Sequence, residues 1–220
     1  MRLLLPSLVV AVLVGASALA VAHGVADENV AHVNGRLYEL GRDNARTGTT
    51  TDPETKAELV RLAKQAVSLA PGNSQYWDAL SRTLRAQDAD SAAVYAASQR
   101  AVLNHPSSAY AWSGLVQVAD RLNAEGRLPG GKAGLEQAIQ RAAALGRFEP
   151  QVSAVVVDKG LVNWPIVGPE TRAATSMAVA NLARLYPDTV IAIAANRGQP
   201  SVACKDKLLA VHKGCAISSS

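Results

Sequence analysis

The sequence predicts an all-α protein built as a stack of antiparallel helix pairs, an α-solenoid behind an N-terminal membrane or signal helix. Three observations carry this. The chain is rich in alanine and leucine and 49% hydrophobic but only 4% aromatic, a balance that suits packed helices and leaves too few β-branched and aromatic residues for a β-sandwich. A block of residues recurs at a fixed period in the middle of the chain. Apolar residues at helical spacing are punctuated by prolines and glycines, where helices stop. At 220 residues the chain is long enough for one or two domains. Its apolar content excludes disorder, and a net charge of +4 is too small to suggest a nucleic-acid partner.

The first element is the uncharged run from residue 3 to residue 22, LLLPSLVVAVLVGASALAVA, with Arg2 before it and Asp27 and Glu28 after it. Its length matches the ~30 Å of hydrocarbon in a bilayer. The same run reads as a signal peptide, with small residues in A-x-A spacing at Ala18/Ala20 and Ala20/Ala22. The two readings differ in whether the segment is cut. Both keep Arg2 in the cytoplasm and export the remainder. Residues 1–26 are therefore assigned to an anchor or signal. The expected location is periplasmic, held at the inner membrane through residues 3–22, or secreted if the signal is cleaved. The length of the run leans towards a retained anchor. No L-x-x-C lipoprotein pattern is present.

The repeat follows. QAVSLAPGNSQYWDAL (65–80) aligns with RAVLNHPSSAYAWSGL (100–115), pairing Ala66 with Ala101, Pro71 with Pro106, Trp77 with Trp112 and Leu80 with Leu115, each 35 residues apart. The chain holds only three tryptophans and ten prolines, so composition alone does not produce this register. The two alanines let helices approach closely. The two prolines end a helix by withholding a backbone donor. Each tryptophan is a large knob on the next helix, with the leucine one turn on along the same face.

This pattern resembles the tetratricopeptide repeat (TPR), a unit of 34 residues folded as helix A, turn, helix B. The matched features are its small residue in helix B, its turn proline, and the tryptophan and leucine of the following helix A. The extra residue is expected in the A–B turn around Gln87-Asp88-Ala89-Asp90. Upstream, RLYELGRDNARTG supplies a helix A with Leu40-Gly41, and TGTTTDPET a long turn. Asp52 or Thr51 then caps a helix B over about 54–70, with Pro53 at its start. Downstream, AWSGLVQVADRLNAEG is a helix A, GRLPGG a turn and KAGLEQAIQRAAALG a helix B. Residues 150–163 and 169–186 form a further degenerate pair, separated by Pro165, Gly168 and Pro169. A short helix near 188–195 and an irregular tail complete the chain. The repeat domain is thus expected over 27–195, and the tail over 196–220.

The C-terminal third resembles small TPR-like proteins found with bacterial exopolysaccharide genes, the VpsP-like group. The similarity covers roughly residues 135–190, through Leu145-Gly146, Glu149-Pro150, Gly160-Leu161, Trp164-Pro165 and Arg172. It implies a role in envelope polysaccharide assembly.

No catalytic constellation emerges, so a non-enzymatic protein without cofactor or metal is expected. GRLPGGKA (126–133) fits G-x-x-x-x-G-K but lacks the closing hydroxyl and a preceding strand, and reads as a turn. The four histidines are scattered, with His105 expected to pack or cap beside Pro106. Glu149 and Asp158 read as solvated surface. Cys204 and Cys215 fit a disulfide in an exported protein. Two free thiols remain open, and a metal site with His212 lacks a fourth ligand.

In TPR-like folds helix A lines a concave groove. Alignment on the tryptophans assigns to it Tyr38, Arg42 and Arg46 in the first repeat, and Asp78, Arg82 and Arg85 in the second. The third repeat gives Ser113, Gln117, Asp120 and Arg121. The arginines, with Arg42, Arg82 and Arg121 as a ladder, favour a carboxylate-bearing partner: an acidic peptide of an envelope protein, or an anionic glycan. The competing reading is a solvated face with intrahelical pairs such as Asp78–Arg82. The tail carries Arg197, Lys205, Lys207 and Lys213 against Asp206, and is expected to be soluble and mobile.

Overall fold

The computed structural model describes residues 4–47, 52–206, 209, 210 and 215, with side chains from residue 12 and, in the first helix, as far as residue 42. Every extended element among these residues is helical: α1 (Leu4–Thr47), α2 (Pro53–Leu69), α3 (Ser74–Ala86), α4 (Ser91–Asn104), α5 (Ala109–Ala124), α6 (Gly131–Leu145), α7 (Pro150–Val162), α8 (Pro169–Ala183), α9 (Pro187–Asn196) and the single turn α10 (Pro200–Ala203). The chain divides into two compact units, Met1–Asn104 and His105–Ser220.

Each unit is a set of helix hairpins in which each helix packs on the next one and most pack also on the next but one. In the first unit α1 packs on α2 and α3, α2 on α3, and α3 on α4. In the second, α5 packs on α6 and α7, α6 on α7 and α8, α7 on α8 and α9, and α10 on α9. The first core joins Ala26, Val30 and Val33 of α1 to Leu59, Val60, Ala63 and Ala66 of α2 and to Tyr76, Ala79 and Leu80 of α3. The second is built on Leu122, Leu135, Ile139, Val152, Val156, Leu161 and Val190, all buried.

The 35-residue register is reproduced in the two turns. Ala66 and Ala101 are both buried, as are Leu80 and Leu115. The amides of Asn73 and Ser108 donate to the carbonyls of Ala70 and His105, closing the same turn twice. Asn73 and Ser108 then cap α3 and α5, their side-chain oxygens accepting from the Gln75 and Ala111 amides. The indole Nε1 of Trp77 donates to the Pro71 carbonyl at 2.7 Å, and that of Trp112 to the Pro106 carbonyl at 2.8 Å. Each tryptophan lies half-buried along its own turn, and the fully buried ring is its neighbour Tyr76. The large apolar knob expected at Trp77 packs against the core only in part: the indole needs a polar partner and finds it at the surface of the turn. His105 likewise neither packs nor caps with its ring, which is exposed; its carbonyl closes the turn.

The helix ends follow from the chain as well. Asp52 caps α2, accepting from the Thr55 amide at 3.0 Å, with Pro53 in the first turn. The A–B turn after α3 closes as a Schellman motif: the Ala89 amide donates to the Leu84 carbonyl and Asp88 takes the left-handed conformation at φ 54°. Gly126 does the same after α5. The GRLPGG segment is a turn, with Gly130 and Gly131 at positive φ. At Gly160 of α7 an added Cβ would lie 2.1 Å from Oγ1 of the buried Thr175 in α8, so only glycine permits this helix approach.

Two boundaries differ from the sequence reading. α1 runs unbroken through the expected 26/27 division, because nothing between Gly15 and Thr47 interrupts its backbone ladder. The expected single repeat domain, 27–195, is parted between Asn104 and His105. The expected short helix is α9, and the tail begins with α10. Cys204 and Cys215 are joined as a disulfide, with Cα atoms 5.5 Å apart, which settles the choice left open between bridge and free thiols. Lys207, His212 and Lys213 lie outside the described residues. Among the described residues no helix is long and apolar enough to cross a membrane. Of the expected spanning run, Leu3 and the side chains of residues 4–11 lie outside them.

Replacing Trp77 with Phe removes the indole bond and keeps most of the ring, so urea denaturation should show a loss of about 0.5–1.5 kcal/mol. Gly160→Ala should cost about 1–3 kcal/mol by forcing α7 from α8. An unchanged midpoint in either variant contradicts these contacts.

Candidate functional site

The first helices of the hairpins carry the polar side chains from which the expected groove was built. In the first unit, Asp78 and Arg82, one turn apart on α3, form an ion pair at 3.0 Å. Arg82 also donates through a terminal nitrogen to Asn34 Oδ1 on α1 at 2.7 Å. Above it, the Tyr76 hydroxyl donates to Asp27 Oδ1 on α1. Burial, and secondarily this bond to a carboxylate, raises the phenol above its ordinary pKa. Arg85 follows on the same helix, and its largely buried guanidinium is pulled below its usual pKa by desolvation, with Asp78 opposing the shift. Tyr38 and Arg42 are exposed on α1, and the side chain of Arg46 lies outside the described residues.

In the second unit Arg121 pairs with Glu125 at 3.2 Å, and Glu125 pairs with Arg127 at 2.9 Å. Ser113 is buried and Gln117 half-buried. Asp120 faces α7, where Lys159 Nζ stands 3.0 Å from one carboxylate oxygen and Asn163 Nδ2 donates to the other at 2.6 Å. Lys159 also reaches Asp158 at 3.3 Å, and the Arg197 Nε of α9 closes the chain on Asp158 at 2.6 Å. That bond holds the Arg197 guanidinium above its ordinary pKa.

So the residues are brought together, but largely with each other. Of the expected ladder, Arg42 and Arg82 belong to the first unit and Arg121 to the second. Arg82 and Arg121 have acidic partners one helical turn away. The pairing named as the competing reading, Asp78–Arg82, is present. Two surface assignments are corrected. Glu149 accepts a hydrogen bond from the Tyr110 hydroxyl at 2.7 Å, and Asp158 is clasped by Lys159 and Arg197. Arg197 is accordingly no part of a mobile tail.

The sequence reading missed Asp27, Asn34, Lys159 and Asn163. One signal was available. Tyr110–Glu149 and Asp158–Arg197 are each separated by 39 residues, as are Asp120 and Lys159. Complementary groups at one local repeat length meet when hairpins stack. In the first unit the separations are 49 and 48 residues, because α1 runs on from Asp27 and Asn34 to Thr47 before the chain turns back, and the signal is lost.

Among the described residues of the first unit are two concavities. One, of about 200 Å³, is walled by Leu37, Leu40, Leu59 and Ala86, with Lys56 and Thr83 at its polar side. The other is a shallow groove along α1 and the start of α2, between His32, Arg36, Glu58 and Arg61. Among the described residues no three His, Cys, Asp or Glu side chains are placed to hold a metal ion. No protein-family model matches the chain, and no curated protein matches it.

The raised pKa of Tyr76 fixes a pH dependence. The unfolded phenol titrates near 10, so the stabilisation is fully present below that and is lost as pH rises through the higher folded value. Melting temperature should fall above about pH 10, and less steeply in Tyr76→Phe; identical slopes would show that the phenol does not sense folding. Arg82→Ala should cost about 1 kcal/mol through the loss of the Asn34 bond and the half-exposed pair with Asp78, measurable by thermal denaturation. This revises the expectation of a purely external arginine ladder.

Proposed function

We propose that the chain is an exported TPR-like scaffold or adaptor of the bacterial cell envelope. It binds a protein partner rather than performing catalysis, as an accessory to polysaccharide biosynthesis or export. The observation that carries this reading is α1. Its first half presents Val12, Leu13, Val14, Leu19 and Val21 to the surroundings, each between 58% and 67% exposed, with no charge from residue 3 to residue 22. Its second half is a core helix of the first unit through Ala26, Val30 and Val33. A fully apolar helix surface calls for a non-aqueous neighbour, and the residues that the core requires begin after both candidate cleavage sites. A retained anchor and a cleaved signal therefore leave the same folded body.

The disulfide supports an oxidising compartment. The stacked hairpins, with a repeated alanine seam and turn clamp, support the TPR-like reading. Such stacks serve as extended surfaces for partners. Asp27, Arg82, Asp120, Asp158 and Lys159 of the first helices are engaged in ties between helices, which favours a scaffold over an active site. The polysaccharide context rests on the resemblance of residues 135–190.

Fractionation followed by mass spectrometry tests the topology. The expected result is an intact Met1 in the membrane fraction, or a mature start near Val21 or His23 in the soluble periplasm; full-length chain in the cytosol overturns export. Capture from envelope extract with the full chain should then recover one defined protein. Retention on an acidic glycan resin, lost with added salt, would instead favour the anionic-glycan alternative.

A further inference from the structure

One end of the second unit gathers the most exposed apolar side chains of that unit. Helices α5, α7 and α9 begin there and α6 and α8 end there, as the Tyr110–Glu149 bond between the starts of α5 and α7 shows. The turns at this end carry Leu145, Phe148, Leu185 and Tyr186, with Tyr110 beside them, and all five are exposed. Phe148, the chain's single phenylalanine, is 85% exposed, and Leu185 is 67% exposed. The same unit buries Leu122, Leu135, Val152, Val156 and Leu161 almost completely, so these tips are not a consequence of a small core; its other exposed apolar side chains, Val162, Ile166 and Met177, are 41–51% exposed.

Three exposed arginines, Arg141, Arg147 and Arg184, flank the tips. The Arg147 guanidinium lies 5.2 Å from the centre of the Phe148 ring, which keeps a cation beside the most protruding apolar group. The carboxylates nearby are Asp188 and Glu149, the latter already accepting from Tyr110. The three helix starts and two helix ends at this place leave only a small positive balance of helix charge. The apolar groups stand on separate turns, after α6 and after α8. A fluid acyl layer can take up each tip independently, while phosphates meet the arginines.

We propose that this end of the second unit docks on an anionic bilayer surface, with Phe148 and Leu185 entering the acyl boundary and Arg141, Arg147 and Arg184 engaging lipid phosphates. The inference rests on the envelope reading in one respect: where α1 is retained as an anchor, it holds the unit at high local lipid concentration, so weak docking suffices.

The test is hydrogen exchange on the full chain with vesicles of phosphatidylethanolamine and phosphatidylglycerol, and with vesicles of phosphatidylcholine. Exchange over residues 145–149 and 184–187 should slow about tenfold on the anionic vesicles only. The slowing should diminish at roughly 0.5 M salt. It should vanish in Phe148→Asp/Leu185→Asp, whose exposed positions leave the helical dichroism unchanged. Equal exchange at both turns on the two vesicle types, with residues 12–25 protected, overturns the docking and leaves the anchor reading intact. Slowing at the turns with residues 12–25 unprotected supports the docking and removes the anchor. Slowing that appears only with an envelope protein fraction and no lipid overturns the proposal in favour of a protein partner.

Discussion

Close approach between neighbouring helices is the constraint on which the rest depends. No hairpin here can bury its apolar face alone. Burial is completed only when the next hairpin lies against it, and the small residues decide how near it comes. Ala63, Ala66 and Ala79 are wholly buried in the first unit, and Gly160 meets Thr175 in the second with no room for a methyl group. Alanine contributes little apolar area of its own. Its value lies in letting Leu59, Tyr76, Leu161 and their neighbours interlock at native packing density. The scarcity of aromatics follows from the same geometry.

That approach also brings polar groups together that the chain keeps far apart. The first helices of successive hairpins are tied by Tyr76–Asp27 and Arg82–Asn34 in one unit, and by Asp120–Lys159 and Asp158–Arg197 in the other. Half-buried pairs of this kind add little net stability each, since desolvation offsets much of the attraction. Their effect is on register: a hairpin shifted by one turn loses its partners and leaves charges unpaired. The arginines that look from the sequence like a ladder for an external carboxylate are thus partly consumed in holding the stack in place. What remains for a partner is the exposed part of these faces and the turn ends, where Phe148 and Leu185 project.

α1 links this architecture to its setting. One continuous helix is a core element at one end and an apolar surface at the other, so whatever surrounds residues 12–25 is mechanically joined to the first core through Ala26, Val30 and Val33. The disulfide joins Cys215 to Cys204, directly after α10.

The sequence by itself determined the helical class, the 35-residue register and the approximate bounds of the helices from α2 to α9. Those signals are local: Asp52, Asn73 and Ser108 cap their helices, Pro71 and Pro106 end the preceding ones, and Gly130 and Gly131 permit the turn between α5 and α6. It also placed the apolar run at the N-terminus. Only the tertiary structure decided that Tyr76 rather than Trp77 fills the core, that α1 continues through the expected domain boundary, that the cysteines are joined, and that Asp158 and Glu149 are bonded. Each of these depends on which residues face one another across 30 to 50 positions of chain, and that offset is set by the lengths of the connections and the closeness of helix packing. A composition or a period fixes the repeating unit; the partner of each side chain exists only once the units are stacked.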